Sequence, residues 1–296
     1  MKLLKTIFTV AIIALFATSC SNNDAPSAGD NYMEQEYYKC FNYIYKENLN
    51  MGVVSTGTTY KFRWRGDFTA DVYVYNAKFS ASMPDGVNIV IEGLKWSNVN
   101  GVKCINATDI VPTKVTMNGN DVGVSSYVID KLKLEVYERR YMDGQSTDIY
   151  IPVINMSMTK GEVEVITVQK QKVYFGSTGV TNTAASTNFT STDPYYAVTL
   201  DPTTMTASID VYKAKFAKEM PAMDMNFSGV PFEVSHLGYK LFCEELVPTI
   251  KGVPYRDYTI TNLTGDATFA TGLNMQFECM KVFAVQARLG YTDPNE

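Results

Sequence analysis

Val72-Tyr73-Val74-Tyr75-Asn76-Ala77-Lys78-Phe79 is answered 137 residues later by Ile209-Asp210-Val211-Tyr212-Lys213-Ala214-Lys215-Phe216. Tyr, Ala, Lys and Phe recur in place. Met83-Pro84 and Met220-Pro221 keep the same offset. Gly93 with Gly229, and Val111-Pro112-Thr113 with Val247-Pro248-Thr249, keep an offset of 136, and Tyr127, Ile129 and Leu132 meet Tyr258, Ile260 and Leu263 at 131. The order is preserved and the offset drifts by a few residues, as loops of altered length produce. A unit of about 130 residues, an ordinary domain size, has been copied.

Alternate residues of a strand face opposite sides. Tyr75, Ala77 and Phe79 therefore share a side, as do Tyr212, Ala214 and Phe216, while Lys78 and Lys215 point away. Lysine is rarely buried unpaired, so Tyr-Ala-Phe is predicted as the core face of both copies. Val72 and Val74 fall on the lysine side.

Outward from this strand the period-2 signal continues. Lys131-Leu132-Lys133-Leu134-Glu135-Val136 alternates cleanly, as a half-buried strand does. Strands are expected near 53–64, 70–79, 87–96, 127–138 and 147–158 in the first copy. In the second they are expected near 162–175, 195–200, 206–217, 223–234, 239–246, 256–263 and 273–289. Asn31 to Tyr45 is ambiguous: Met33, Tyr37, Phe41 and Ile44 have helical spacing, but Phe41, Tyr43 and Tyr45 alternate, which favours a strand near 40–46. The expected domains are 31–160 and 161–296, meeting at the turn Thr159-Lys160-Gly161, with no linker between them and little hinge freedom.

The N-terminus reads as an address. Lys2 and Lys5 precede an apolar run from Ile7 to Phe16, then Ala17-Thr18-Ser19 and Cys20. This is the order of a secretory signal, and the run is too short to span a bilayer as a helix. A cysteine directly after small residues resembles the lipobox of bacterial lipoproteins, although Ala17 stands where leucine is usual. That resemblance implies a signal peptide over 1–19 and cleavage before Cys20. Cys20 is then acylated and holds the protein at a membrane surface. Residues 20–30 are small and polar, too poor in apolar surface to fold, and form a tether. Lipobox and tether together resemble outer-membrane lipoproteins of Bacteroidetes, which implies a location at the cell outer membrane, periplasmic or surface-exposed, and says nothing of activity.

With 26 Lys+Arg against 31 Asp+Glu the net charge is -5, which gives no electrostatic attraction to nucleic acid. An exported chain is permitted disulfides. Cys40, Cys104, Cys243 and Cys279 allow three pairings, and buried free thiols fit equally well.

The copied unit resembles calycin-like, lipocalin-related barrel domains of bacterial lipoproteins. The shared features are Tyr174-Phe175-Gly176, then Lys215-Phe216 with Met220-Pro221, then Asp224-Met225-Asn226-Phe227-Ser228-Gly229-Val230. They end on Thr264-Gly265 before Leu273-Asn274-Met275-Gln276-Phe277. The resemblance implies an all-β chain of two tandem eight-stranded antiparallel barrels, either filled or holding one small ligand. Tandem β-sandwiches are the alternative.

Catalytic equipment is sparse. The one histidine, His236, sits at an expected turn between Ser235 and Gly238, more a surface position than a member of a nucleophile triad. One histidine cannot build a histidine-rich zinc site. Asp67, Asp71, Glu92, Asp109, Asp224, Glu244 and Glu245 are carboxylates of the kind a glycosidase uses, but solvated surface explains them better. Arg65-Gly66-Asp67 spells an integrin-binding tripeptide, and turn chemistry accounts for it as well. No metal or cofactor is expected. The segment Ser177 to Pro194, rich in Thr, Ser and Asn around Phe189, reads as a long loop, and long loops are often functional. Phe189, Tyr195 and Tyr196 are the candidate ligand-binding residues, at a barrel mouth, for a small apolar molecule or a glycan. The expected role is non-enzymatic binding. An adhesin or scaffold role in an envelope complex is the alternative, and a carboxylate hydrolase the remote one.

Overall fold

A computed structural model describes residues 32–46, 49, 51–80, 82–137, 140–142, 148–150, 153–268 and 272–290. The expected signal peptide, Cys20 and the expected tether lie outside the described residues. The first part of the chain carries β1 (Tyr32–Lys46), β2 (Met51–Ser55), β3 (Thr59–Arg65), β4 (Thr69–Ala77), β5 (Val87–Val99), β6 (Val102–Ile110), β7 (Lys114–Met117), β8 (Asn120–Asp121), β9 (Ile129–Tyr137), β10 (Arg140–Met142), β11 (Asp148–Tyr150), β12 (Val153–Lys160) and β13 (Val163–Gln169). The second part carries β14 (Gln171–Asn182), β15 (Thr187–Ser191), β16 (Tyr195–Asp201), β17 (Thr206–Ala214), β18 (Met223–Val234), β19 (Gly238–Leu246), β20 (Thr249–Ile250), β21 (Val253–Pro254), β22 (Ile260–Thr268), β23 (Gly272–Cys279) and β24 (Phe283–Gly290). The ambiguous N-terminal segment is strand throughout β1.

Pairing closes two barrels. The first runs β4-β3-β1-β13-β12-β9-β6-β5 and returns to β4; the second runs β17-β16-β14-β24-β23-β22-β19-β18 and returns to β17. Each has eight antiparallel strands, so tandem calycin-like barrels replace the sandwich alternative. The circuits correspond strand for strand. The extras correspond too: β2 and β15 pair with the first strand of each barrel, and β7-β8 and β20-β21 hang from the fourth.

Closure moves the domain boundary. β13 pairs with β12 on one side and β1 on the other, so residues 163–169 are the eighth strand of the first barrel, not the start of the second. The division falls at Lys170, not at Gly161. The alternation of Val163, Val165 and Thr167 is the same whichever barrel owns the strand; only the pairing to β1, more than a hundred residues away, decides it.

A second correction concerns the repeated strand. Asn76 and Lys213 both have positive φ, 54° and 55°. Pairing with the next strand skips there, between Val74 and Ala77 and between Val211 and Ala214. A bulge inserts one residue and inverts the alternation beyond it. Ala70, Val72 and Val74 therefore fill the first barrel, and Ala77 rejoins them three residues on. Tyr75 faces outward and stacks on Tyr73; Tyr212 faces outward and stacks on Tyr195 at 4.5 Å. Phe79 and Phe216 do pack against the two cores. The bulge is built identically in both copies. The backbone N–H of Asn76 donates to Asn88 Oδ1 and that of Lys213 to Asp224 Oδ1, each at 2.9 Å. Tyr75 and Tyr212 are thus equivalent, on the face opposite to that expected.

Tyr60, Phe62 and Trp64 are wholly buried in the first barrel. Its interior also holds a polar network: Tyr60 Oη donates to Asn42 Oδ1 at 2.8 Å, Asn42 Nδ2 donates to Thr58 Oγ1, and Thr167 Oγ1 donates to Tyr60 Oη. In the second barrel Tyr174 and Tyr239 share a hydrogen bond of 2.7 Å and Tyr196 pairs with Thr178. The barrels are packed together. Phe41, Val153 and Val168, from the outer face of the first, join the apolar cluster of the second, with Phe41 against Phe232. Lys170 ties the junction, donating its N–H to Lys39 O and accepting from Leu200 N–H at 2.7 Å.

The buried tyrosines predict alkaline unfolding. Burial pushes Tyr196 up to about 12 and Cys279 up to about 12, and raises Tyr60, Tyr239 and Cys40 as well. These acids stay neutral in the fold but ionise in the unfolded chain near their ordinary values. Their contribution is complete below about pH 9 and is lost as pH rises toward about 12. Burial pulls Lys172 down to about 8, which acts in the opposite sense above that pH, but it is one group against five. Urea midpoints should hold to about pH 9 and then fall, with tyrosinate absorbance rising at the unfolding transition; full ionisation of the tyrosines in the folded chain would contradict this.

Candidate functional site

The largely apolar cavity lies in the first barrel. Three elements converge at one end: Phe79 and Met83 from between β4 and β5, the 3-10 turn Ser125–Tyr127, and the turn joining β12 to β13. They surround a space of about 400 Å³, within the range of ligand pockets. Its floor is core: Ile89, Ile129, Met158 and Val165 are all buried. Phe79, Met83, Met117, Tyr127 and Val163 form the walls, and Ser126, Thr159 and Lys160 bring the polar atoms. Met83, Met117 and Met158 give the lining soft, adaptable surface. Phe79 is set by the bulge at Asn76, and its N–H donates to Met83 Sδ at 3.3 Å, tying the two walls together.

The same end of the second barrel is filled. Lys160 with Val163, and Cys279 with Phe283, are the last pairs of the equivalent hairpins, so Phe283 stands where the first barrel has Val163. Two residues further in, Phe277 stands in place of Met158, opposite Val285 as Met158 is opposite Val165. Phe283 reaches Phe216 at 6.0 Å, and Phe216 packs on Tyr258 at 6.3 Å. Phe79 and Tyr127 are the counterparts of the last two rings. One copy of the unit thus carries an aromatic plug, and the other, with valine and methionine at those positions, carries a space.

The expected site residues do not come together. The segment 177–194 is no loop; it is the end of β14, a turn and β15, paired from Thr178 with Ser191 to Asn182 with Thr187. Thr-rich sequence without bulky residues still pairs when a neighbouring strand offers an edge, and β14 extends past the end of β16 to do so. Phe189 is half-buried opposite Val180 and borders an open, more polar groove of about 540 Å³ with Asn188, Gln276 and Gln286. Tyr196 is buried in the barrel. Tyr195, its neighbour on an alternating strand, faces outward between Phe175 and Tyr212, where burial, with Asp210 and Asp224 nearby, pushes Tyr212 up to about 12. Tyr195 and Tyr196 lie on opposite faces and cannot line one site.

Phe79, Met83 and Tyr127 appear in the repeated motifs; Met117, Met158, Lys160 and Val163 were missed. A signal for them existed in the valine-for-phenylalanine contrast at 163 and 283. The misplaced boundary hid it by setting Val163 against the first strand of a barrel instead of the last.

The other candidates have structural explanations. Arg65 is ion-paired with Asp71, whose other oxygen accepts the Gly93 N–H. Asp67 accepts from the Thr69 hydroxyl and N–H, bonds that hold its carboxyl below the usual range. The Arg-Gly-Asp tripeptide is therefore spent on its own hairpin. His236 is exposed in the turn between β18 and β19 and stacks on Tyr45 at 4.8 Å across the junction of the barrels. Cys40, Cys104, Cys243 and Cys279 are free thiols. Among the described residues no group of three or more His, Cys, Asp or Glu side chains is placed to hold a metal. Comparison with protein-family models, curated proteins and solved structures finds no match to this chain.

Proposed function

We propose that this chain is an exported, lipid-anchored binding protein of the cell envelope, tethered through Cys20, whose first barrel takes up a small apolar molecule at its mouth. The second barrel, plugged by Phe283, serves as a rigid partner. The observation that carries this reading is the space of about 400 Å³ lined by Phe79, Met83, Met117, Met158 and Val163. Apolar walls of this kind favour an apolar ligand over a glycan, because a sugar's hydroxyls would be desolvated with few partners.

The test is direct. Purified protein lacking residues 1–20 is titrated with a neutral fluorescent naphthylamine, and native mass spectrometry records any molecule carried through purification. Saturable binding at one site per chain is expected. A chain that binds no apolar probe and carries nothing would overturn the proposal. The anchor has its own test: Cys20→Ser should release the protein from the membrane fraction, and unchanged attachment would contradict it.

A further inference from the structure

Resting on that reading of the mouth, we infer that its ligand is a single-chain amphiphile with an anionic head, bound tail-inward with the head against Lys160. Lys160 is the one cation among the residues lining the space. It ends β12 at the exposed rim, while the floor at Ile89, Met158 and Val165 is apolar and buried. An ammonium group has three donors. One is used on the Ser126 carbonyl, which holds the side chain over the opening. Among the described residues no carboxylate forms an ion pair with Lys160. A nearby acid, Asp130, accepts the Gly161 N–H at 2.6 Å. That bond shapes the turn after β12 and keeps the carboxylate on the backbone. A positive charge held at the edge of a space with an apolar floor selects a molecule with one charged end. A neutral oil leaves the charge unused, and a cationic amphiphile is repelled.

A long-chain carboxylate and an alkyl phosphate share this chemistry, and the experiment separates them. Displacement of the naphthylamine probe is measured with dodecanoate, dodecyl phosphate, dodecanol and dodecyltrimethylammonium, on the unaltered protein and on Lys160→Met. Because the cation is exposed, a preference for the anions over dodecanol of about fivefold is expected, shrinking at high salt. The stronger of the two anions names the head group. In Lys160→Met the preference of the anions over dodecanol should disappear. Equal binding of dodecanoate, dodecyl phosphate and dodecanol to the unaltered protein would overturn the inference while leaving the proposed function standing. So would a preference that survives in Lys160→Met. Failure of every amphiphile to displace a probe that does bind also overturns it. Failure of the probe itself removes both readings.

Discussion

Val163→Phe is expected to weaken uptake of an apolar probe by the first barrel and to leave the fold in place. The substitution installs the residue that the second barrel carries at the same position of the same hairpin. There the ring of Phe283 packs on Phe216, which packs on Tyr258, and the first barrel offers the counterparts Phe79 and Tyr127 as lining of the space. A phenyl ring at 163 therefore has aromatic neighbours to meet and occupies volume the ligand needs. Affinity should fall at least tenfold, equivalent to about 1.4 kcal/mol. Val163 is partly buried at the rim, so the ring enters open space and not a close-packed site, and stability should change by no more than about 1 kcal/mol. Probe titration together with a urea midpoint checks both halves. Undiminished binding in a folded Val163→Phe protein would place the ligand elsewhere.

The largest stability effect is expected at Trp64. Its side chain is wholly buried in the first barrel, against Phe62 at 6.0 Å and edge-on to Trp96 at 5.5 Å. The ammonium of Lys103, itself only 6% exposed, lies 5.0 Å above its ring. Trp64→Ala removes the filling of this layer and the aromatic face that helps a buried cation, so about 3–5 kcal/mol should be lost. Native domains are stable by only about 5–15 kcal/mol, so this is a large share of the total. The chain has two tryptophans and both lie in the first barrel. In the variant Trp96 alone reports that barrel's unfolding by fluorescence. A shift corresponding to less than about 1 kcal/mol would mean that the interior can collapse around the missing ring.

Much of the architecture was readable from local pattern. Leu132, Leu134 and Val136 alternate with charged residues, and they are buried in the first barrel as that alternation requires. The duplication was visible in side chains that recur at nearly fixed offsets, and the structure repeats even the bulges, including those at Gly93 and Gly229, both at φ 72°. The candidate site was much less legible. Phe189, Tyr195 and Tyr196 drew attention by composition, but β15 pairs its segment into the sheet, and alternation sends the two tyrosines to opposite faces.

What the sequence determined by itself was the class of fold and its repetition. Period-2 alternation and repeated motifs are local properties, and any chain carrying them twice must bury two strand-built interiors. Tertiary structure alone decided three things: that Tyr75 points outward, that residues 163–169 close the first barrel, and that the apolar space opens beside Val163 while the groove beside Phe189 is the more polar one. Each turns on a relation between distant residues. A one-residue bulge is set by the partner strand, closure by pairing of the first strand with the eighth, and a cavity by what several segments leave unfilled where they meet.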